Sequence, residues 1–206
     1  MSDKIDKRIL ISILSNSKKI STKIEINKLL KKYLKSKYSA NIFNSLTKRN
    51  MIKNIFINYY YILDPDEQLS KYTKQDSLQV VSQILNTEKI NWYIGLESAT
   101  KIHGLNWQGL STTTIINSKF SGTKRIFGST YIFKKITKPI RKIKLLKKKK
   151  GPHSVYFSDK EKTLIDYVYF RKKPPVELTR EINNVVLQEY LKDYSKDFKR
   201  KVLHYE

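Results

Sequence analysis

Between Leu63 and Thr73 the chain reads "DPDEQLSKY", and the spacing of its apolar residues differs on the two sides of this run. A proline with three acids (Asp64, Asp66, Glu67) interrupts any hydrophobic stripe, and such punctuation marks a boundary between separately built pieces. Ahead of it, apolar residues recur first at helical spacing and then alternate. Behind it, helical stripes are interleaved with several short alternating runs. A chain of 206 residues divided in this way is expected to fold in the α+β class as two small domains, residues 1–66 and 67–206.

The front piece reads as three helices and a hairpin. Ile5, Ile9, Leu10, Ile13 and Leu14 form the first stripe. In "TKIEINKLLKKYL", Leu29, Leu30, Tyr33 and Leu34 share a face, with Thr22 as the expected N-cap. "YSANIFNSLTKRN" offers Ser39 as N-cap and Ile42, Phe43 and Leu46 as a buried stripe. Its opposite face carries Asn41, Asn44, Ser45 and Lys48. Short polar side chains near the start of a helix suit an approach to base edges in the major groove. "MIKNIFINYYYIL" then alternates as two strands turning near Asn58. Three helices and a hairpin in this order predict a winged helix-turn-helix. Lys37, Tyr38, Ser39, Asn41, Asn44, Ser45, Lys48, Arg49 and Lys53 are its candidate DNA-binding residues.

Charge points the same way. Lys and Arg total 42 against 18 Asp and Glu, a formal net charge of +24. Such an excess repels itself in a compact chain and favours a polyanionic partner. An AT-rich genome would account for Lys over Arg, but accounts less well for so few acids. No apolar run reaches the ~18 residues of a spanning helix, so no membrane partner is expected. The N-terminus lacks the pattern of a signal peptide, which predicts a cytoplasmic protein. With no cysteine, disulfides, thiolate metal sites and cysteine nucleophiles are excluded.

In the rear piece, "TKQD" suggests a helix start with Thr73 as cap and Asp76 three residues on, continuing through Leu78, Val81, Ile84 and Leu85. "WYIG" reads as a strand and "LESATKIHGL" as a two-turn helix. Glu97 falls in its first turn and His103 in its last, where the helix dipole favours each. Gly104 occupies the position of a left-handed cap closed by Leu105. Both ionisable residues thus have a structural task, and no catalytic role is expected of them. "STTTIIN", "TKRIFG", "TYIFKKI" and "HSVYFSD" read as strands, and "SDKEKTLIDYVYF" as a helix capped by a Ser158–Glu161 box with Leu164, Ile165 and Val168 inward. Two amphipathic helices follow, the second with Leu191, Tyr194, Phe198 and Val202 in a row, expected to dock on the domain's own core.

Residues 119–150 contain no acid. Lys124, Arg125, Lys134, Lys135, Lys138, Arg141, Lys142, Lys144, Lys147, Lys148, Lys149 and Lys150 are therefore expected to form a second phosphate-binding surface, with "KLLKKKKGP" reading as a loop.

The winged helix together with "YIGLESATKIHGL" and "VYFSDKEKTLIDYV" resembles the AbiEi family of antitoxins and transcriptional regulators of type IV toxin–antitoxin systems. Ser98, Ala99, His103, Gly104 and Leu105 match one family motif; Glu161, Thr163, Leu164 and Asp166 match another. Thr100 and Lys162 depart from the family's usual aliphatic residue and arginine. The resemblance spans roughly residues 5–170 and leaves the last two helices unmatched. It implies double-stranded DNA bound at an inverted-repeat operator, repression of the protein's own operon, and antagonism of a nucleotidyltransferase toxin. A monomer or weak dimer, cooperative on DNA, with no cofactor or metal, is the form expected. Two rival readings are a metal-dependent nucleic-acid-processing enzyme and a non-specific architectural DNA-binding protein. The sequence contains no Glu-x-Lys, the usual element of a nuclease metal site.

Overall fold

The structure, a computed structural model, describes residues 11, 14, 16, 18–33, 36–105, 111–137, 145–150 and 153–205; the side chains of 36–38, 148–150 and 153 lie outside that description. The fold is α+β and divides into two compact units, Met1–Ile84 and Leu85–Glu206.

In the first unit, β1 (Ile20–Thr22) runs into α1 (Lys23–Tyr33), followed by α2 (Ser36–Lys48), β2 (Ile52–Asn54) and β3 (Tyr59–Ile62). The strands form an antiparallel sheet of order β1-β3-β2, with Ser21 opposite Tyr60 and Lys53 opposite Tyr61. Thr22 caps α1 as expected. Its hydroxyl accepts from the Glu25 amide at 3.2 Å, and Glu25 accepts from the Thr22 amide at 2.7 Å, a reciprocal box. The core comprises Ile11, Leu14, Ile26, Leu30, Phe43, Leu46, Ile52 and Ile62. Of the expected stripes, Ile5, Ile9, Leu10, Ile13 and Leu34 lie outside the described residues, and Tyr33 is 48% exposed. Strand β1 has no counterpart among the sequence expectations, since three residues are too few to show a period.

The acidic run is a folded element rather than a bare linker. Asp64 caps α3 (Pro65–Ser70), accepting from the Glu67 amide at 2.9 Å while Glu67 accepts from the Asp64 amide at 3.0 Å. Glu67 is only 1% exposed; it accepts from the Tyr61 hydroxyl at 2.7 Å and pairs with Lys19. Residues 64–74 are thereby tied to the first unit. The compact units divide at Ile84/Leu85, within α4 (Ser77–Thr87), whereas the change in apolar spacing sets a boundary after Asp66. The cap of α4 is also corrected. Asp76, not Thr73, accepts the Leu78 amide at 2.9 Å, while the Thr73 hydroxyl turns to the Gln75 carbonyl.

The second unit is built on a six-stranded mixed sheet. Its strands are β4 (Trp92–Ile94), β5 (Thr112–Asn117), β6 (Gly122–Ile126), β7 (Ser129–Lys135), β8 (Leu145–Lys150) and β9 (His153–Ser158), in the order β6-β7-β5-β4-β9-β8. The pairs β4–β9 and β5–β7 are parallel and the other three antiparallel. Tyr93 and Ile116, opposite each other in register, share a core with residues of α6 (Lys160–Tyr169), α8 (Asn184–Leu191) and α9 (Lys196–Leu203). The final helices therefore dock on their own unit through Leu187, Leu191 and Val202. The expected single row from Leu191 to Val202 spans two helices, because Ser195 caps α9 and starts it afresh. Between α6 and α8 lies the short α7 (Val176–Thr179).

Two local expectations are overturned here. Residues 145–150 pair with β9 as an antiparallel edge strand, Leu146 opposite Phe157, and are not a loop; a run of lysines shows no alternation from which to read a strand. Asp159, not Ser158, caps α6, accepting the Lys162 amide at 2.8 Å. Ser158 is buried at the end of β9, with its hydroxyl 2.8 Å from that of Thr163.

Candidate nucleic-acid interface

Helix α2 is held by one face. Phe43 and Leu46 are buried, and the Phe43 ring meets Tyr60 of β3 edge-on at 5.1 Å. The opposite side presents Asn41, Asn44 and Lys48, all exposed, with Ser45 half-buried and Arg49 exposed just past the helix end. Lys53 follows on β2, half-buried. Two expectations change. The helix begins at Ser36, so Ser39 lies inside it, and at 4% exposure Ser39 belongs to the buried side rather than to the polar row. Lys37 and Tyr38 lie within α2, but their side chains are outside the described residues.

The hairpin after α2 turns at Phe56–Tyr59, where the Tyr59 amide donates to the Phe56 carbonyl at 3.0 Å. Both central residues, Ile57 (φ 54°) and Asn58 (φ 61°), are left-handed, the signature of a type I′ turn. Asn accepts that conformation readily; a β-branched isoleucine does so at a cost.

Among the described residues, the basic side chains of 119–150 are spread across the sheet. Lys124 and Arg125 are exposed on β6, and Lys147 is exposed on β8, at the opposite edge of the sheet. Five strand spacings of ~4.8 Å put these edges about 24 Å apart. Between them, Lys134 and Lys135 alternate on β7: the Lys134 ammonium lies 5.1 Å from the centre of the Phe170 ring, and Lys135 is exposed. The backbones of Lys148, Lys149 and Lys150 continue β8, with side chains outside the described residues, as are Lys138, Arg141, Lys142 and Lys144 entirely. Lysines on edge strands have a structural use as well, since their charge discourages pairing with another chain.

Glu97 and His103 sit at opposite ends of α5 (Glu97–Ile102) and make separate contacts. Glu97 pairs with Lys172. His103 donates from Nε2 to the Ser158 carbonyl at 2.8 Å, which ties the helix end to β9. Gly104 is left-handed (φ 77°), and the Leu105 amide reaches back to the Thr100 carbonyl at 2.9 Å, closing the expected cap. Lys162 and Asp166 of the second motif form a buried ion pair beneath Tyr93. Burial raises the Asp166 carboxyl above the ordinary range in spite of the opposing lysine and tyrosine. All three residues are closed off from solvent, which suits packing rather than turnover. Among the described residues, no group of three or more His, Asp or Glu is placed to hold a metal ion. None of their helices is long and apolar enough to cross a membrane.

One basic feature lies outside the sequence expectations. The turn after α6 and the last turn of α9 enclose an open basin of about 610 Å³, lined by Arg171, Lys172, Lys173, Arg200, Lys201 and His204, with Tyr205 and Val168. The sequence carries the signal as two short clusters, "RKK" at 171–173 and "KRK" at 199–201, but nothing in their spacing brings them together.

The chain is similar in fold to a crystal structure of the RV2827C protein from Mycobacterium tuberculosis, with a TM-score of 0.61 and 12% identity, over 97% of this chain and 75% of that one. No family model matches the sequence, and no curated protein does.

Proposed function

We propose that the protein is a sequence-specific DNA-binding transcriptional regulator, cytoplasmic and non-enzymatic, whose first unit is a winged helix-turn-helix. The observation that carries this reading is the two-sided character of α2. Phe43 and Leu46 anchor it, and Asn41, Asn44 and Lys48 are left exposed in one row with Arg49 beyond. A turn later the hairpin supplies a wing with Lys53 at its base. An exposed amide can pair bidentately with adenine, while lysine and arginine beside it neutralise phosphates. The antitoxin half of the proposal rests on the resemblance of the two rear motifs to the AbiEi family. It holds that the protein represses its own operon at an inverted repeat, as a monomer or weak dimer cooperative on DNA, and counteracts a nucleotidyltransferase-like toxin.

The test is a footprint on the protein's own upstream DNA, followed by Asn41→Ala and Asn44→Ala. Each is expected to cost ~1–3 kcal/mol on the protected site and little on random duplex. Equal losses on both would remove α2 from the groove. Co-expression with a nucleotidyltransferase toxin, sought in the reading frame beside this one, tests the second half: protection should survive His103→Ala, because that side chain ties a helix to a strand.

A further inference from the structure

The basin between α6 and α9 has more positive charge than its own structure can use. Six cationic or ionisable side chains line it, and the bland account is that they compensate helix C-termini. Each such terminus carries about half a negative charge, so α6 and α9 together offset about one positive charge. Glu97 engages Lys172, and Asp197 engages Arg200 at 2.6 Å. Arg171, Lys173 and Lys201 are exposed and make no ion pair among the described residues. About two positive charges are left over without counting His204.

Residue choice adds a second observation. Where the composition favours lysine so strongly, codon bias explains lysines but not arginines. The chain has seven arginines, and two of them, Arg171 and Arg200, line this basin. A guanidinium binds phosphate oxygens in a planar fork that an ammonium does not provide. Arg171 sits in the left-handed position closing α6 (φ 53°), with the Lys172 amide donating back to the Tyr167 carbonyl at 2.8 Å. At the same place in α5 the chain uses Gly104.

We infer that this basin is a phosphate-binding site for a nucleic-acid backbone, held by Arg171, Lys173, Arg200 and Lys201, with Tyr205 at its wall. The donor set argues against a free nucleotide as the intended ligand. Nucleotide phosphates are usually cradled by backbone amides at helix N-termini, and this basin is bordered by two C-terminal ends whose free groups are carbonyls. Side-chain cations around an open depression suit a passing phosphodiester chain. The inference takes its ligand class from the proposed function but not the interface on α2.

The test is binding of the full-length protein to the footprinted duplex and to a random duplex of equal length, by fluorescence anisotropy across a salt series. Arg171→Gln/Lys173→Gln/Lys201→Gln is expected to lower the slope of log K against log salt by up to about 0.9 for each phosphate left without its cation, equally on both duplexes. Asp197→Asn, which releases Arg200, should tighten binding to both without requiring the triple variant to fold. Unchanged slope and affinity in the triple variant together with no gain in Asp197→Asn would overturn the site while leaving the α2 reading intact. Loss of random binding in a protein that shows no site preference would keep the basin and remove the specific-regulator reading. Tighter competition by ATP or inorganic triphosphate than by duplex, abolished in the triple variant, would make it a nucleotide site and overturn the backbone assignment. No binding of the wild type to either duplex at low salt would overturn both.

Discussion

Tyr93 on β4 donates its hydroxyl to Asp166 on α6, standing 3.0 Å from both carboxylate oxygens and joining residues 73 positions apart. One turn earlier on the same helix, Lys162 closes on that carboxylate, with its ammonium 5.3 Å from the centre of the Tyr93 ring. Burial and the neighbouring carboxylate push the Tyr93 hydroxyl well above its ordinary range, so it remains a donor. Removing one member strands another: Asp166→Ala leaves a fully buried ammonium and should destabilise the second unit by about 3–5 kcal/mol. Replacing both charges, Lys162→Met with Asp166→Leu, should recover most of that loss. Denaturant titration of the two variants reads the difference, and a single variant as stable as wild type would show the pair to be dispensable.

A pH effect is expected from α3. Burial alone would raise the Glu67 carboxyl, but hydrogen bonds from Lys19, Tyr61 and the Lys74 and Asp64 amides outweigh it and hold the group below its ordinary value. Asp64 is held low in the same way, chiefly by Lys19 and the Glu67 amide acting against its burial. A carboxyl whose folded value lies below its unfolded value of about 4 contributes stability in full above that value, and loses it as pH falls through the folded one. Glu67→Gln should therefore cost about 1.5–3 kcal/mol at pH 7. The gap from wild type should narrow steadily as pH falls below about 4, and melting curves at about pH 7, about 4 and about 3 would show it. A constant gap would mean that charge is not what holds α3.

The turn of the β2–β3 hairpin carries its own cost. Ile57 is β-branched and left-handed in a type I′ turn, a conformation that costs an L-residue roughly 1–2 kcal/mol. Ile57→Gly removes that strain while adding freedom to the unfolded chain, so a net gain of about 0.5–1 kcal/mol is expected. Thermal unfolding decides it; a loss would mean that the half-buried isoleucine packs well enough to outweigh its backbone.

The two glycines that flank α5 should fail differently. A methyl at Gly95 would meet Ile116 Cδ1 at 2.4 Å in a closed core, whereas one at Gly104 meets nothing within 4 Å. Gly95→Ala should cost about 1–3 kcal/mol through overpacking, and Ile116→Val beside it should recover part of the loss. Gly104→Ala should cost about 1–2 kcal/mol through its left-handed backbone alone, with no rescue by Ile116→Val. Stability of the four variants separates space from backbone.

What the sequence determined by itself is what neighbours along the chain decide. The inward stripes of α2 and α6, the Thr22 cap, the left-handed Gly104 and the strands at 112–117, 122–126 and 129–135 follow from residues within a few positions of one another. Tertiary structure decided whatever depends on competition or on distance. Ser158 and Asp159 were both able to cap α6, and burial of Ser158 against Thr163 left the role to Asp159. The lysine run at 147–150 became an edge strand because β9 offered it a ladder, a fact with no trace in its own pattern. The strand order then parted one acid-free stretch into two edges, and the packing of α9 brought Arg200 and Lys201 to residues 171–173. Periodicity records which face a residue turns inward; which other segment meets that face depends on long-range closure of the chain, and no local spacing encodes it.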